Sequence, residues 1–167
     1  MTARADEASI IGRGMKVLNR YAVAVAAAAI GGGASTRRSV TTWYPQLRKP
    51  EWTPPSWAFG PAWTVLYAQM AYSGRRVSES SDPARRPTLA LWWLQFGLNA
   101  AWTPTFFGAR RIGGSAILIT TLLPAVAATA VASARVDRRA GLLYAPYLAW
   151  STYAAALNIE IWRRNRA

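Results

Sequence analysis

The chain has 167 residues, of which 52% are hydrophobic and only 16% are charged, whereas soluble domains average about 25% charged residues. It contains no cysteine and no histidine. This excludes disulfides and thiolate metal sites, and it removes the commonest general base and haem ligand. With seven acidic residues against 20 lysines and arginines, carboxylate chemistry is poorly supplied, so ordinary hydrolases and redox enzymes are disfavoured.

The net charge of +13 raises the question of nucleic-acid binding. The basic residues, however, occur as short clusters at the edges of apolar runs, for example Arg75-Arg76, Arg110-Arg111 and Arg163-Arg164. Membrane proteins flank their spans in this way, because guanidinium groups reach the phosphates of lipid headgroups. The pattern therefore predicts that the protein associates with the lipid bilayer and does not bind nucleic acid.

Five segments are predicted to be transmembrane helices, since a spanning helix needs about 20 largely apolar residues. In chain order they are residues 17–34, 57–74, 88–107, 112–134 and 140–162. Residues 1–14 are predicted to be a disordered N-terminal tail, and residues 15–165 to form one transmembrane domain. Strand signals and internal repeats are not evident in the sequence. The expected fold is an all-α integral membrane bundle of five transmembrane helices, with the termini on opposite sides.

The connectors between the predicted spans differ in kind. Residues 75–87 are polar and contain prolines, which is typical of a flexible connector. Residues 35–56 combine aromatic residues with prolines, which predicts an ordered loop packed on the helix ends. Aromatic residues near the span ends are expected at the level of the lipid headgroups; these are Trp43, Trp52, Trp57, Trp162, Tyr21 and Tyr144.

Other aromatic residues lie deep in the predicted spans and form stripes at helical spacing. The stripes are Phe59, Trp63, Tyr67 and Met70 on the second span, Trp92, Gln95, Phe96, Asn99, Trp102 and Phe106 on the third, and Tyr147, Trp150, Ala154 and Leu157 on the fifth. Such stripes are typical both of helix packing and of a ligand cavity. The amides Gln95, Asn99 and Asn158 need a partner inside the membrane, which is either another helix or a ligand. Both interpretations stay open.

Prolines and small residues also mark the predicted spans. Four prolines are expected to kink their helices, because each removes a helical hydrogen bond; they are Pro61, Pro104, Pro124 and Pro146. Alanine- and glycine-rich stretches permit close approach between helices and are compatible with a homodimer interface.

Three motifs then resemble a known family. Residues 43–67 read WYPQLRKPEWTPPSWAFGPAWTVLY, residues 94–110 read LQFGLNAAWTPTFFGAR, and residues 146–165 read PYLAWSTYAAALNIEIWRRN. Their order and content are similar to the signature segments of the translocator protein family, also called the tryptophan-rich sensory protein, TspO/MBR or peripheral benzodiazepine receptor family. The resemblance covers roughly residues 15–165 and implies a five-helix membrane bundle, often dimeric.

The resemblance also implies a function and a site. The family binds porphyrins, sterol-like lipids and aromatic synthetic ligands in a cavity between its helices, with no required cofactor and no metal. Matched residue by residue, the ligand-binding residues would be Trp52, Pro54, Phe59, Gly60, Ala62, Trp63, Tyr67, Asn99, Trp102, Phe106, Trp150, Ala154 and Leu157. The expected function is tetrapyrrole binding by a sensor, scavenger or transporter. The expected location is the cell membrane of a bacterium or an organelle membrane of a eukaryote.

Two alternatives accompany this interpretation. One is a light-dependent enzyme that degrades porphyrin, with Trp63 and Trp150 as the candidate catalytic residues. The other is a non-catalytic membrane scaffold. The family's animal members carry a tyrosine-containing cholesterol motif near the end of the fifth helix, and this chain lacks that tyrosine, which lowers the expectation of sterol binding. Glu160 lies in this stretch and is expected to pair with Arg163 or Arg164.

Overall fold

The computed structural model describes residues 20–31 and 36–166. Residues 20–31 and 36–42 are helical, and α1 denotes these two stretches together. The other helices are α2 (Phe59–Glu79), α3 (Arg85–Thr103), α4 (Ile112–Val136), the short α5 (Arg138–Leu142) and α6 (Ala145–Asn165). Within the described residues no strand occurs, so the all-α prediction is confirmed. The predicted tail at residues 1–14 lies outside the described residues, as do residues 17–19 and 32–34 of the first predicted span.

Side-chain contacts define the direction of each helix. Tyr67 of α2 bonds to Asn99 of α3, whereas Met70 bonds to the earlier Trp92, so α2 and α3 are antiparallel. In α6, Tyr147 bonds to Asn99 and Asn158 bonds to Trp102, so α6 runs parallel to α3. Tyr21 contacts Trp92 and the later Ser39 bonds to Phe107, so α1 runs parallel to α3. Gly113 at the start of α4 lies beside Trp162 near the end of α6, so these two helices are antiparallel. The segment at residues 43–58 lies at one end, called here the loop end.

The helix boundaries differ from the predicted spans where charged residues begin. Helix α2 continues past residue 74 to Glu79 and so includes Arg75 and Arg76, while α3 already begins at Arg85. The polar connector between them is therefore shorter than residues 75–87. Arginine has a good helix propensity, so a charged pair ends an apolar run without ending the helix.

The prolines lie mainly at helix starts. Pro61 is the third residue of α2, and Pro146 is the second residue of α6. The expectation that these two prolines kink a helix was wrong, because backbone N–H groups in a first helical turn have no intrahelical acceptor to lose. Pro104 opens a π-helical turn, Pro104–Gly108, which continues α3. Only Pro124 is interior to a described helix, in α4.

The half of the bundle away from the loop end is tightly packed, and it is called here the packed half. Its core residues are Tyr21, Val25, Met70, Trp92, Phe96, Val126, Tyr144 and Tyr147. Trp92 is 1% exposed, and its Nε1 donates to the carbonyl oxygen of Met70 over 3.0 Å. Tyr21 and Tyr144 are each 1% exposed. Both tyrosines therefore pack between the helices and do not face outward, while their depth in the membrane stays a prediction.

Two glycines permit this packing. A Cβ on Gly74 would lie 2.8 Å from Nε1 of Trp92. A Cβ on Gly141 in α5 would lie 2.6 Å from Cα and 2.7 Å from the backbone nitrogen of Ala134. Since Ala134 presents backbone atoms at this point, only a glycine at position 141 lets α5 lie against α4.

A charged pair secures the same half. The Arg76 guanidinium lies 2.7 Å from the Asp137 carboxylate, which also accepts hydrogen bonds from the backbone nitrogens of Arg139 and Ala140 and so caps α5. Burial opposes ionisation of Asp137, but the hydrogen bond from Arg76 and those from the backbone outweigh it. The pKa of Asp137 is therefore held below its ordinary value.

The segment between α1 and α2 is ordered by contacts with α6, as its composition predicted. The backbone nitrogen of Arg48 donates to Asn165, and the Asn165 amide donates back to the Arg48 carbonyl, over 3.0 and 2.9 Å. The Tyr153 hydroxyl donates to the Trp52 carbonyl over 2.8 Å. Lys49 donates to the carbonyl oxygens of Tyr44, Pro45 and Leu47, which closes the loop on itself.

Candidate functional site

A cavity of about 860 Å³ lies toward the loop end of the bundle. Side chains from α1, α2, α3, α4 and α6 line it, together with residues of the loop and of the π-helical turn. Its volume falls within the roughly 300–1,000 Å³ range of sites that hold small molecules. The bundle therefore contains a space large enough for an organic ligand, and this space reaches the edge of the packed half at Val25.

Ten of the thirteen predicted binding residues line this cavity: Phe59, Gly60, Trp63, Tyr67, Asn99, Trp102, Phe106, Trp150, Ala154 and Leu157. The remaining three, Trp52, Pro54 and Ala62, are not among its lining residues. The ring of Trp52 packs on Tyr153 instead, with ring centroids 5.6 Å apart, and remains 48% exposed. The structure thus brings together most of the residues that the motifs singled out, from three separate segments of the chain.

Each aromatic stripe divides between the cavity and the packed half. On α2, Phe59, Trp63 and Tyr67 line the cavity, whereas Met70 is buried in the core of the packed half. The stripes of α3 and α6 divide in the same way: Trp92, Phe96 and Tyr147 belong to the core, and the later residues of each stripe line the cavity. Each stripe thus contains packing residues in one part of the helix and cavity-lining residues in another. Gln95 of the α3 stripe fits neither expectation for a buried amide, because it does not line the cavity and neither its Oε1 nor its Nε2 has a hydrogen-bond partner.

The two tryptophans that the sequence brought forward as candidates lie close together. The rings of Trp63 and Trp150 have centroids 6.5 Å apart at 83° to each other. Phe59 packs edge-on against Trp150 at 5.9 Å, and Tyr67 lies 5.4 Å from Trp63. Edge-to-face arrangements such as those of Trp150 with Trp63 and Phe59 are favoured geometries for aromatic pairs. The result is an aromatic wall contributed by α2 and α6.

A hydrogen-bonded chain of side chains lies where the cavity meets the packed half. Tyr67 donates to Oδ1 of Asn99 over 3.0 Å, and Nδ2 of Asn99 donates to the Tyr147 hydroxyl over 2.8 Å. These bonds link α2, α3 and α6, and they satisfy the Asn99 amide within the protein. For Asn99, a partner on another helix is thus present.

The Asn158 amide is only half satisfied. Its Oδ1 accepts from Nε1 of Trp102 over 2.9 Å, which fixes the orientation of the amide, because the reversed amide would oppose two donors. Its Nδ2 has no hydrogen-bond partner, and neither has Nε1 of Trp150. Both residues line the cavity. An unpaired buried donor is costly, and these two nitrogen atoms are shielded from the cavity as well as from solvent, so they are exceptions to the usual pairing of buried polar groups.

The loop end of the cavity is electropositive. Arg37 is among the lining residues, and no aspartate or glutamate is among those described. Tyr44 also lines the cavity, and burial, together with the neighbouring Tyr153, raises the pKa of Tyr44 to about 12. The Tyr44 hydroxyl is therefore neutral near pH 7. The charge balance of the wall favours an anionic group on any occupant.

Several lining residues were not foreseen. The most numerous are small residues of α1, namely Ala22, Val25, Ala26, Ala28 and Ala29. They carry no motif, and their alanine-rich run shows no apolar period that would assign one face to a ligand. Asn158, which the sequence analysis noted as a polar residue within a span, also belongs to the wall. The π-helical turn was missed as well, and it places Phe106 and Phe107 at the cavity.

These features define a class of protein: an α-helical bundle that holds an aromatic cavity between its helices at the end covered by an ordered loop. By length and composition, one helix in the described part of the chain could cross a membrane, namely Ile112–Val136, with a mean hydropathy of 2.0. The helices α2, α3 and α6 are rich in tryptophan, tyrosine and arginine, which lower their mean hydropathy.

The model of the TspO/MBR family matches residues 21–163, and the chain belongs to this family. It is therefore an all-α membrane protein. Protein CrtK of Rhodobacter capsulatus is 39% identical over 150 residues, which cover 89% of this chain and 94% of that protein. The human translocator protein is 40% identical over 127 residues, covering 74% and 75%. The tryptophan-rich protein TspO of Archaeoglobus fulgidus is 37% identical over 153 residues, covering 90% and 99%.

Proposed function

We propose that the protein binds a tetrapyrrole of the porphyrin type in this cavity, as a sensor, scavenger or transporter. The observation that carries the proposal is the cavity of about 860 Å³ with its aromatic wall. A porphyrin is a flat, largely apolar ring system, and aromatic side chains bind such faces by stacking and edge contacts. The cavity offers these contacts from Phe59, Trp63 and Trp150 on one side and from Trp102 and Phe106 on another.

The polar groups of the wall support the same ligand. A porphyrin of this type carries acidic side chains, and Arg37 would pair with a carboxylate at the loop end. Sterol-like lipids are weaker candidates, because they bring no anion to the arginine.

We also propose that the five long helices α1, α2, α3, α4 and α6 each span the bilayer. Consecutive long helices run in opposite directions, and basic residues flank them at both ends. Reporter fusions at the two termini are expected to report opposite sides of the membrane. Reporters on the same side would contradict five spans.

The binding proposal is tested by titrating the purified protein with protoporphyrin in darkness while tryptophan fluorescence is recorded. Because several indoles line the cavity, a bound pigment must lie close to them, and quenching is expected to saturate. An unrelated helical membrane protein in the same detergent is the control. Linear quenching equal to that of the control would reduce the effect to partition into the micelle and contradict the proposal.

A second candidate function rests on the Trp63–Trp150 pair. Two indole rings 6.5 Å apart in the cavity wall would both lie beside a bound porphyrin. On illumination, an excited porphyrin and dissolved oxygen could oxidise the ligand or an indole, so the protein would be a light-dependent porphyrin-degrading enzyme. Light-driven loss of the bound pigment, absent from the free pigment, distinguishes this enzyme from a binder.

A further inference from the structure

A second concave surface lies on the outside of the bundle, between α4 and α6. This α4–α6 groove has a volume of about 410 Å³ and is lined by Gly113, Ala116, Ile117, Thr120, Thr121, Ile159 and Trp162. It shares no lining residue with the cavity. The cavity uses Asn158 and Ile161 of α6, whereas the groove uses Ile159 and Trp162, so the two sites lie on different faces of the same helix.

The groove is apolar despite its two threonines. The hydroxyl of Thr120 donates to the Ala116 carbonyl over 2.7 Å, and that of Thr121 donates to the Ile117 carbonyl over 2.9 Å. With the hydroxyls bonded to their own helix, the methyl groups remain as contact surface. Ile117 is 71% exposed and Ile159 37%. The groove thus offers a strip of hydrocarbon about two helical turns long.

Gly113 sets the distance between α4 and Trp162 at one end of the groove. A Cβ at this position would lie 3.0 Å from Nε1 of Trp162, so the missing side chain lets the indole lie close against the first turn of α4. Trp162 closes the groove at its loop end. Tryptophan is the residue that membrane proteins place at the boundary between acyl chains and headgroups.

Arginines continue the groove beyond Trp162. Residues three and four apart share a helix face, so Arg163 follows Ile159, and Arg166 follows Trp162, on the α6 wall. The Arg166 guanidinium carbon lies 5.3 Å from the Trp162 ring centroid, directly over the indole. On the α4 side, Arg111 immediately precedes the first helical residue. The loop end of the hydrocarbon strip is therefore followed by Arg163 and Arg166 along the chain of α6 and by Arg111 next to the start of α4.

These arginines are largely uncompensated. The single carboxylate nearby, that of Glu160, bonds to Arg164 over 2.8 Å and lies 3.8 Å from Arg163. Among the described residues, Arg111 and Arg166 form no ion pair. The side chain of Arg163 is 65% exposed. The rim of the groove thus carries net positive charge that is accessible from outside.

We propose that the α4–α6 groove is a specific site for an anionic phospholipid of the surrounding bilayer. One acyl chain lies along Ile117 and Ile159, and the headgroup phosphate binds Arg163 and Arg166, with Arg111 on the opposite side. An anionic headgroup is selected over a zwitterionic one, because a choline ammonium would be repelled by the arginines that attract its phosphate. The ligand differs in class from the cavity's, and the site does not depend on cavity binding.

Native mass spectrometry of the detergent-purified protein tests this assignment. Phosphatidylglycerol and phosphatidylcholine with identical acyl chains are titrated in parallel, and the first bound lipid is quantified. Wild type is expected to bind phosphatidylglycerol at least tenfold more tightly. A basic residue near an anionic lipid contributes about a fivefold gain, so the double variant R163Q/R166Q should lose about twenty- to thirtyfold in phosphatidylglycerol affinity.

The matched control is the double variant R138Q/R139Q, which removes the same charge at the other end of the bundle. It is expected to retain the wild-type preference for phosphatidylglycerol. Equal losses in both double variants, or no preference in wild type, would overturn the proposal in favour of nonspecific attraction. Competition by glycerol 3-phosphate as effective as that by the lipid would also overturn it, as would a change of R163Q/R166Q from dimer to monomer without loss of lipid.

Discussion

Both halves of the bundle contain buried tryptophans, but the tryptophans of one half pack the core and those of the other half line the cavity. In the packed half, the Trp92 indole is 1% exposed, its N–H has an acceptor, and Gly74 leaves space for its ring. In the cavity half, the Trp150 indole lines an open space, and its N–H has no acceptor. A tryptophan ring enclosed by other side chains stabilises the fold, whereas a ring that lines a cavity offers contact surface to a ligand. Composition alone cannot separate the two.

The largest expected effect contrasts two glycines. G141A is expected to lower the free energy of unfolding by about 3 kcal/mol, or roughly 5–10 °C in melting temperature, because the new methyl group would meet the backbone of Ala134. G60A is the control from the cavity wall, where nothing lies within 4 Å of the added Cβ. It should be neutral or slightly stabilising. Thermal unfolding followed by circular dichroism in detergent measures both, and equal losses would contradict the division into halves.

The next effect concerns the charged pair of the packed half. D137A removes both the helix cap and the partner of Arg76 and is expected to cost about 1–2 kcal/mol. D137N retains a capping oxygen and should cost less. The matched control is E160Q at the loop end, where the exposed pair with Arg164 contributes little. A loss in E160Q as large as in D137A would contradict the assignment.

The same carboxylate predicts a pH dependence. The folded pKa of Asp137 is lower than its unfolded value of about 3.8, so its contribution to stability is complete above that pH. The contribution is lost as the pH falls from about 3.8 through the folded pKa. Melting temperatures measured between pH 6 and pH 3 should decline more steeply for wild type than for D137N. Parallel declines would show that another group is responsible.

A smaller effect is expected from the aromatic wall. W63F and W150F each keep a flat apolar ring but lose indole area and an N–H donor, so each should cost about 1 kcal/mol of porphyrin binding in darkness. If the protein degrades the pigment, both variants should also lose light-driven bleaching at matched occupancy. Equal bleaching in wild type, both variants and free pigment would exclude the enzyme and leave a binding protein.

The smallest effect tests the charge at the cavity. R37Q is expected to weaken protoporphyrin binding about twofold, because the ligand carboxylate loses a partner that is exposed to solvent. The dimethyl ester of protoporphyrin has no carboxylate, so wild type and R37Q should bind it equally. A loss that is the same for acid and ester would mean that Arg37 supports the wall sterically and does not pair with the ligand.

The sequence predicted the helices and most of the cavity for a physical reason. Apolar runs and aromatic stripes repeat at helical spacing, so the residues that share one face, such as Trp63 and Tyr67, were visible together. The sequence did not show which residues of a stripe pack in the core and which line the cavity. Trp92 and Trp102 have the same local pattern, and they differ only in the residues of neighbouring helices that contact them.

Other features depended on contacts that a linear pattern does not contain. The alanines of α1 have no motif of their own, and they line the cavity only because α1 lies beside α2. The ion pair between Arg76 of α2 and Asp137 was not visible either, because the two residues are 61 apart along the chain. Likewise, Trp52 does not line the cavity as predicted, because its ring packs on Tyr153.

The most direct test of the account fills the cavity from within. Ala154 lines the cavity, whereas Ala156, two residues later on α6, is exposed and does not. Both A154W and A156W add one indole to the same helix. In a dark titration with protoporphyrin, A156W is expected to show the saturable quenching of wild type, while A154W loses it with little change in melting temperature. Wild-type binding by A154W, or equal loss in both variants, would contradict the assignment of this cavity as the ligand site.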